Sequence, residues 1–283
     1  MADEEKLKKH LDAAWDWVES GLAEIGKARD LLNGNPSPKK IETFEIQGRD
    51  FIINGERKYL VGVSWRQFLQ MVAGERPWEN EAGFETPQEY INAIVDNGLN
   101  YVRHNICFNA ELVKSHCEEM RENGVVVELT LHDEGKPLGN AHDVVAKTKH
   151  LPNVIYEGHN EFRGDGNIDD CNIAWWWSNF CLNNGLLSSG GAYGAGGQAW
   201  ANKFWSGNPT NKIVTVHRDW DCDSIKRHES RMKPIVRNEF FNMTSEDTKA
   251  RMLEDFDCGA SGVNYYGDWF LVAGDVCRMK NGE

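Results

Sequence analysis

Short apolar runs alternate with longer amphipathic segments over most of the chain, from residue 59 to residue 266. Each of these runs has the length of a β-strand. There are eight: Tyr59–Ser64, Leu99–Asn105, Val125–Leu131, Asn153–Glu157, Leu186–Gly190, Ile213–His217, Pro234–Asn238 and Gly262–Tyr266. Strands that alternate with helices usually pair in parallel, so the pattern predicts an α/β fold, a closed (β/α)8 or TIM barrel.

The segments between the runs have helical spacing. The predicted helices are Thr86–Asn97, Asn109–Asn123, Ala141–His150, Ile168–Asn183, Gln198–Trp205, Cys222–Arg231 and Ser245–Cys258. The main alternative is an open doubly wound sheet, which normally carries Gly-x-Gly-x-x-Gly after its first strand. No such motif follows Tyr59–Ser64, and the glycine-rich stretch 190–197 lacks the Lys-Ser/Thr pair of a phosphate loop. That stretch therefore predicts a tight loop.

Two further elements precede the first barrel strand. Residues 4–32 predict one amphipathic helix, because apolar residues recur there at spacings of three, four or seven, and residues 33–42 predict a linker. Residues 43–58 predict a small β-hairpin unit with a tight turn at Asn54-Gly55. We therefore divide the chain into 1–42 and a barrel domain, 43–283.

The segment after the eighth run poses a problem for barrel closure. Only 17 residues remain, 267–283, which we judge too few for a loop and a full closing helix. A barrel needs its strands covered by helices. Our hypothesis is that the N-terminal helix fills the eighth-helix position. The alternative is that this helix mediates self-association or docking to a larger assembly.

Composition narrows the classes of partner. The chain has 31 Lys and Arg against 44 Asp and Glu, a net charge of −13, which argues against nucleic acid and anionic membranes. The acidic first residues carry no apolar signal region, so we expect a cytoplasmic protein or one carried on a particle. The seven cysteines include no Cys-x-x-Cys pair, which favours buried, reduced thiols over a zinc site or a complete disulfide framework.

Candidate chemistry lies where the strands end, since active sites of such barrels form at the carboxyl ends of the strands. Glu161 and Glu239 follow the fourth and seventh runs. These two strands face each other across the barrel mouth, so both carboxyl groups can reach one substrate. Two carboxyl groups in different environments can divide the roles of acid and nucleophile. Trp65, just past the first strand, is a candidate for stacking on a sugar ring.

The order of these residues resembles the retaining glycoside hydrolases of clan A, in particular the family five cellulases and mannanases. Glu161 matches the family's acid/base and Glu239 its nucleophile. The resemblance implies hydrolysis of a β-linked poly- or oligosaccharide by double displacement, with no cofactor and no metal. It also implies a set of substrate-binding positions: Arg103, His132, Asn160, His217 and Trp269.

The chain departs from the family at position 219, which is Asp where the family often has Tyr after the strand-six His. Tyr265 or Tyr266 is the candidate to replace it. The departure motivates an alternative function, an inactive glycosidase-like barrel with a carbohydrate-binding or structural role, for example in a virus particle. A metal-dependent hydrolase using His132, Asp133, His217 and Asp219 comes third, because no His-x-His pair ends the first strand.

Overall fold

The computed structural model describes residues 39–78, 83–133, 136–160, 168–189, 212–217, 222–229, 233–238, 244–266 and 270–282. Several sequence predictions fall outside these ranges. They concern the helices at 4–32 and 198–205, the glycine-rich loop, Asp219, Trp269 and the two candidate catalytic residues Glu161 and Glu239. Residues 40–283 belong to one compact unit.

The hairpin unit has the predicted form. Strands β1 (Phe44–Gln47), β2 (Asp50–Ile53) and β3 (Glu56–Lys58) make an antiparallel sheet in the order β1-β2-β3. Asn54 and Gly55 join β2 to β3, both with positive φ, 52° and 81°. This is the backbone of a type I′ turn, whose twist suits a tight hairpin and which an Asn-Gly pair adopts readily.

Seven of the eight predicted barrel strands form one parallel sheet. Along the chain they are β4 (Leu60–Ser64), β5 (Tyr101–Asn105), β6 (Val126–Thr130), β9 (Val154–Glu157), β10 (Val214–Val216), β11 (Ile235–Asn238) and β12 (Gly262–Tyr266). A short antiparallel pair, β7 (His132–Asp133) and β8 (Lys136–Pro137), is inserted after β6. The strand order is β10-β11-β12-β4-β5-β6-β9.

Residues 187–189 supply the remaining strand position between β9 and β10. The backbone N–H of Tyr156 donates to the Leu187 carbonyl at 3.0 Å, and that of Ser189 donates to the Tyr156 carbonyl at 3.1 Å. On the other side, the Ile213 N–H donates to the Ser188 carbonyl at 3.4 Å. These bonds join the two edges of the sheet, and the predicted barrel fold is confirmed.

Helices cover the outside of the sheet; six of those described lie near predicted positions, and the first and last of them were not predicted. They are α1 (Phe68–Val72), α2 (Pro87–Asp96), α3 (Ala110–Glu122), α4 (Ala141–Thr148), α5 (Ile168–Asn183), α6 (Cys222–Glu229), α7 (Ser245–Asp257) and α8 (Phe270–Asn281). Local sequence sets several of their starts. Thr86 and Glu89 form a capping box at α2, and Asn109 caps α3. Among the described residues, no helix is long and apolar enough to span a membrane.

Helix α8 corrects the prediction about barrel closure. It occupies the eighth-helix position, with Phe270, Ala273 and Val276 buried in the main core. It also packs so closely on the end of α2 that a Cβ on Gly274 would lie 2.4 Å from the Asn97 carbonyl oxygen. Twelve helical residues rise about 18 Å, as far as a five-residue strand extends, so the short segment suffices. The expectation that residues 267–283 are too few for a closing helix was wrong, and the position of residues 4–32 stays a prediction.

The barrel interior changes character along its axis. Near the amino ends of the strands it is apolar, and residues of the hairpin unit close it from below. This lower layer contains Ile41, Phe44, Phe51, Ile53, Leu60, Tyr101, Val126, Ile155, Ile213 and Val236. Ile41, which we assigned to the linker, is therefore part of the barrel unit. One step further along the strands the interior is polar, and this upper layer holds the candidate site.

One disulfide links the outer helices. Cys222 at the start of α6 is bonded to Cys258, directly after α7, across 36 residues of sequence. The expectation of reduced thiols is wrong for this pair, because spacing in the sequence does not reveal which cysteines meet in the fold. Cys107, Cys117, Cys181 and Cys277 are buried and in the thiol form, as expected.

Candidate active site

Arg103 lies at the centre of the upper layer. Alternate residues of β5 face the barrel interior, which brings Tyr101, Arg103 and Asn105 inside. The fully buried Arg103 guanidinium donates from Nε to Glu157 Oε2 at 2.8 Å. Its Nη2 lies 2.7 Å from the same carboxylate oxygen and donates to Asn160 Oδ1 at 2.6 Å. The predicted Arg103 thus ties β5 to the end of β9.

Asn160, the residue directly before Glu161, is held from several sides. Besides accepting from Arg103, its Nδ2 donates to Asp133 Oδ1 at 2.8 Å, and its backbone N–H donates to the His132 carbonyl at 2.7 Å. The other Asp133 oxygen accepts from Arg66 at 3.1 Å. The side chain that we predicted to bind substrate is therefore fixed in orientation. Arg66 was not predicted, and its only signal in the sequence was its position just past the first strand.

Glu128 is a second buried carboxylate of this layer, in addition to Glu157. It was not predicted from the sequence. It accepts hydrogen bonds from Tyr101, from Ser189 Oγ at 2.9 Å, from Thr215 Oγ1 at 3.3 Å and from Asn238 Nδ2 at 3.3 Å. These partners come from four different strand positions around the barrel. The available signal was an acidic residue in the middle of the run Val125–Leu131, which is unusual in a buried strand.

The upper layer holds two carboxyl groups around one guanidinium. Glu157 also accepts from Thr130, and the Nε of Arg103 lies 4.0 Å from Glu128. Burial raises the pKa of Glu157 to about 7; the Glu128 carboxylate acts in the same direction and Arg103 against it. Burial and the Glu128 carboxylate likewise raise the pKa of Tyr101. This layer can therefore hold a proton near neutral pH.

Some buried polar atoms of this layer have no hydrogen-bond partner among the residues that the structure describes. They are Oε1 of Glu157, Oδ1 of Asn238 and both amide atoms of Asn264. Asn238 and Asn264 are register neighbours on β11 and β12, and Asn238 directly precedes Glu239. Buried polar groups are normally paired, so a group of exceptions marks a place where water or a ligand can bind.

Of the two predicted histidines, His132 lies at the edge of the upper layer and His217 lies within it. His132 Nδ1 accepts from Trp177 Nε1 at 3.1 Å, and its ring also hydrogen-bonds the Gly158 backbone. Burial, followed by the nearby His159, lowers the pKa of His132 to about 4, so the ring is neutral. His217 is buried after β10 and acts electrostatically on Glu157. A substrate contact for either ring stays a prediction.

Two predicted binding residues lie away from this layer. Tyr265 faces outward from β12, and its hydroxyl donates to Asp255 Oδ2 on α7 at 2.8 Å. Since side chains alternate along a strand, Asn264 faces inward and Tyr265 cannot. Trp65 is only 4% exposed and packs against Phe68, Trp78 and Tyr90. The predictions that Tyr265 and Trp65 contact substrate were wrong.

Three consecutive tryptophans, at 175–177, lie on α5 with very different exposures. Trp177 is buried beside His132 and His142, whereas Trp175 and Trp176 are 53% and 48% exposed on the outer helix α5. Consecutive helical residues point in different directions, which separates the three rings.

Within the described ranges, no three His, Cys, Asp or Glu side chains converge in a way that would hold a metal ion.

Comparison with solved structures shows the fold. The endo-1,4-beta-mannanase from Rhizomucor miehei superposes with a TM-score of 0.58 at 11% identity, over 86% of this chain and 100% of that one. The beta-1,4-D-mannanase from Cryptopygus antarcticus gives 0.60 at 12%, over 82% and 94%. Gas2p from Saccharomyces cerevisiae, in complex with laminaripentaose, gives 0.61 at 12%, over 85% and 70%.

These neighbours confirm the predicted resemblance to glycosidase barrels at the level of the fold. No protein-family model matches the sequence, and no curated protein matches it either. At 11–12% identity the comparison fixes the architecture and not the chemistry. The chemistry that this chain can perform is set by the residues of the upper layer.

Proposed function

We propose that this protein is a retaining glycoside hydrolase that cleaves a β-linked poly- or oligosaccharide. The observation that carries the proposal is the bonding of Arg103 to Asn160 within a barrel of mannanase-like fold. This bond fixes the residue next to Glu161 at the carboxyl end of the strands. That end is where enzymes of this architecture perform their chemistry.

A similar observation supports the proposed role of the second candidate carboxylate. Glu239 follows β11, whose last residue Asn238 is held by Glu128 inside the same polar layer. Glu128 in turn lies beside Arg103. The backbone on either side of the barrel mouth is thus anchored to one network, which is how the fold would hold two carboxyl groups at a constant separation.

The proposed reaction has two displacements. In the first, Glu161 gives a proton to the glycosidic oxygen while the Glu239 carboxylate attacks the anomeric carbon, which releases the leaving sugar and forms a glycosyl ester. In the second, Glu161 takes a proton from water, which attacks the same carbon and frees Glu239. This route requires carboxyl groups about 5–5.5 Å apart, against roughly 6.5–9.5 Å for inversion.

Asn160 and Arg103 have separate roles in this scheme. The Asn160 amide would bind the 2-hydroxyl of the sugar, a contact that strengthens in the oxocarbenium-like transition state. Arg103 would orient that amide, since its guanidinium holds the Asn160 oxygen at 2.6 Å. Arg103 is therefore a positioning residue in this proposal, and Asn160 a substrate-binding one.

The test is hydrolysis of chromogenic β-glycosides and of β-mannan and β-glucan oligosaccharides by the wild type, Glu239→Gln and Glu161→Gln. We expect turnover by the wild type and a loss of at least about a thousandfold in Glu239→Gln, because a neutral amide cannot form the glycosyl ester. Circular dichroism checks that both variants fold. The configuration of the first product, followed by NMR, distinguishes retention from inversion.

Full activity in Glu239→Gln would reject the assignment of the nucleophile. Equal loss in a control variant far from the mouth, such as Glu118→Gln on the exposed face of α3, would show that the assay reports stability and not chemistry. A Glu161→Gln variant should be rescued most on substrates with a good leaving group, since these need little protonation.

One observation favours the inactive alternative. Tyr265, a candidate to replace the family tyrosine missing at position 219, faces the outer helices. The alternative predicts that the wild type binds β-linked oligosaccharides and hydrolyses none of the panel. Turnover that depends on Glu239 would exclude it.

A further inference from the structure

A surface groove lies beside the upper layer, at the carboxyl ends of β5 and β6. It has a volume of about 380 Å³, and its lining includes Gln70, Glu75, Arg76, Phe108, Asp133 and Lys136. This volume is in the range of small-molecule sites, roughly 300–1,000 Å³. Asp133 connects the groove to the candidate active site, because its carboxylate also holds Asn160.

Phe108 is placed differently from the other exposed apolar side chains. In the described part of the chain, the remaining large exposed hydrophobic residues all lie on the outer helices α5 and α8: Trp175, Trp176, Leu182, Leu271 and Met279. Phe108 instead follows β5 on the active-site face and is 67% exposed. Its backbone N–H donates to Glu75 Oε1 at 2.7 Å, which holds the backbone at this position. An exposed aromatic ring on this face offers a flat apolar surface for a sugar.

Gln70 supports the wall of the groove. It is 5% exposed, and its Nε2 donates to the carbonyls of Ile106 and Leu138, both at 3.3 Å. These two bonds fix the orientation of the amide, whose Oε1 is buried and has no hydrogen-bond partner among the described residues. Gln70 therefore holds the shape of the lining, and the contacts open to a ligand come from the exposed side chains around it.

The charges of the lining indicate the class of ligand. Among the described lining residues, two carboxylates, Glu75 and Asp133, are matched by two cations, Arg76 and Lys136. A balanced set selects neither a polyanionic nor a polycationic glycan by charge. All four groups can form hydrogen bonds with hydroxyls, as acceptors or as donors. The lining therefore fits a neutral sugar.

We propose that this groove is a remote subsite, which binds a ring of a neutral β-linked oligosaccharide with Phe108 as its stacking platform. The proposal rests on the proposed function for the identity of the chain that extends from the active site. It predicts that Phe108 strengthens the binding of longer oligosaccharides. Binding of a disaccharide should therefore depend on Phe108 less than binding of a pentaose does.

Calorimetry in the Glu239→Gln background, in which turnover is blocked, tests the subsite. The probes are laminaripentaose, mannopentaose and their disaccharides. Phe108→Ala should weaken binding of at least one pentaose about fivefold to tenfold and weaken binding of the disaccharides less. Phe108→Trp should retain the pentaose affinity. Leu271→Ala, which truncates an exposed side chain on α8, is the matched control and should change nothing.

Three results would overturn the subsite: unchanged pentaose affinity in Phe108→Ala, an equal loss in Leu271→Ala, or no binding of any neutral pentaose. Tighter binding of an oligogalacturonate would overturn the neutral class. Hydrolysis by the wild type with unchanged binding in Phe108→Ala rejects the subsite and keeps the enzyme. Phe108-dependent binding without hydrolysis supports the subsite and rejects the enzyme.

Discussion

The two halves of the barrel interior differ in chemistry although the same strands build both. A step of two residues leads from Tyr101 to Arg103 on β5, and from Val126 to Glu128 on β6. The same step leads from Ile155 to Glu157, and from Val236 to Asn238. The lower layer is hydrocarbon sealed by the hairpin unit, and the upper layer is ionised and hydrogen-bonded.

This difference separates stability from function along one axis. Burying the apolar lower layer contributes favourable free energy, at roughly 25 cal/mol per Å² of apolar surface. Burying Arg103, Glu128 and Glu157 costs free energy unless each group is paired, and even a paired buried charge contributes little net stability. The lower layer can therefore carry an upper layer that is arranged for binding and chemistry.

The largest expected effect comes from breaking the ion pair of the upper layer. Arg103→Met leaves Glu157 buried without its cation, and we expect a loss of about 3–5 kcal/mol in the free energy of unfolding. Urea denaturation measures this loss. Activity should fall as well, because Asn160 loses the guanidinium that orients it.

A double variant sharpens that result. Arg103→Met with Glu157→Leu removes both charges, so much of the stability should return while the activity should not. If the single variant is as stable as the wild type, the upper layer does not depend on this pair. If the double variant recovers activity, Arg103 does not position the substrate-binding amide.

The pH dependence of stability gives an effect of intermediate size. Burial raises the pKa of Glu157 from 4.5 to about 7, so between these values the folded state binds more protons at this group than the unfolded state. Its contribution to stability is therefore present below about pH 4.5 and is lost as the pH rises towards 7. Glu157→Gln should remove this part of the pH profile.

Denaturation of the wild type and Glu157→Gln across pH 4–8 measures the difference. Glu118→Gln serves as the control, since that carboxyl is exposed on α3. If the stability of the wild type and of Glu157→Gln changes in parallel with pH, then Glu157 has the same pKa in the folded and the unfolded state.

The smallest effect should come from the lower layer. Ile155→Val removes one buried methylene group, which typically costs about 0.5–1.5 kcal/mol. Turnover and pentaose affinity should be unchanged, because Ile155 lies below the polar layer. If turnover falls although the protein remains fully folded, the two layers are coupled, and stability and function are not separated along the barrel axis.

Much of the architecture was predictable because it follows from local patterns in the sequence. The alternation of apolar runs located the strands, and capping residues such as Thr86 and Asn109 set helix starts. The missed features are those that join distant segments. Glu128 gathers partners from around the barrel, Cys222 meets Cys258, and α8 closes the ring although its sequence looked too short.

The sequence by itself determined the order and type of the barrel strands and of most helices between them, and it placed Arg103 and Asn160 at the carboxyl ends of their strands. These are properties of periodicity and of local backbone preference. The tertiary structure decided which side chains meet. It turned Tyr265 outward, enclosed Trp65 in aromatic rings and left Phe108 exposed beside Asp133. Such contacts depend on the twist and closure of the whole sheet, which no short stretch of sequence encodes.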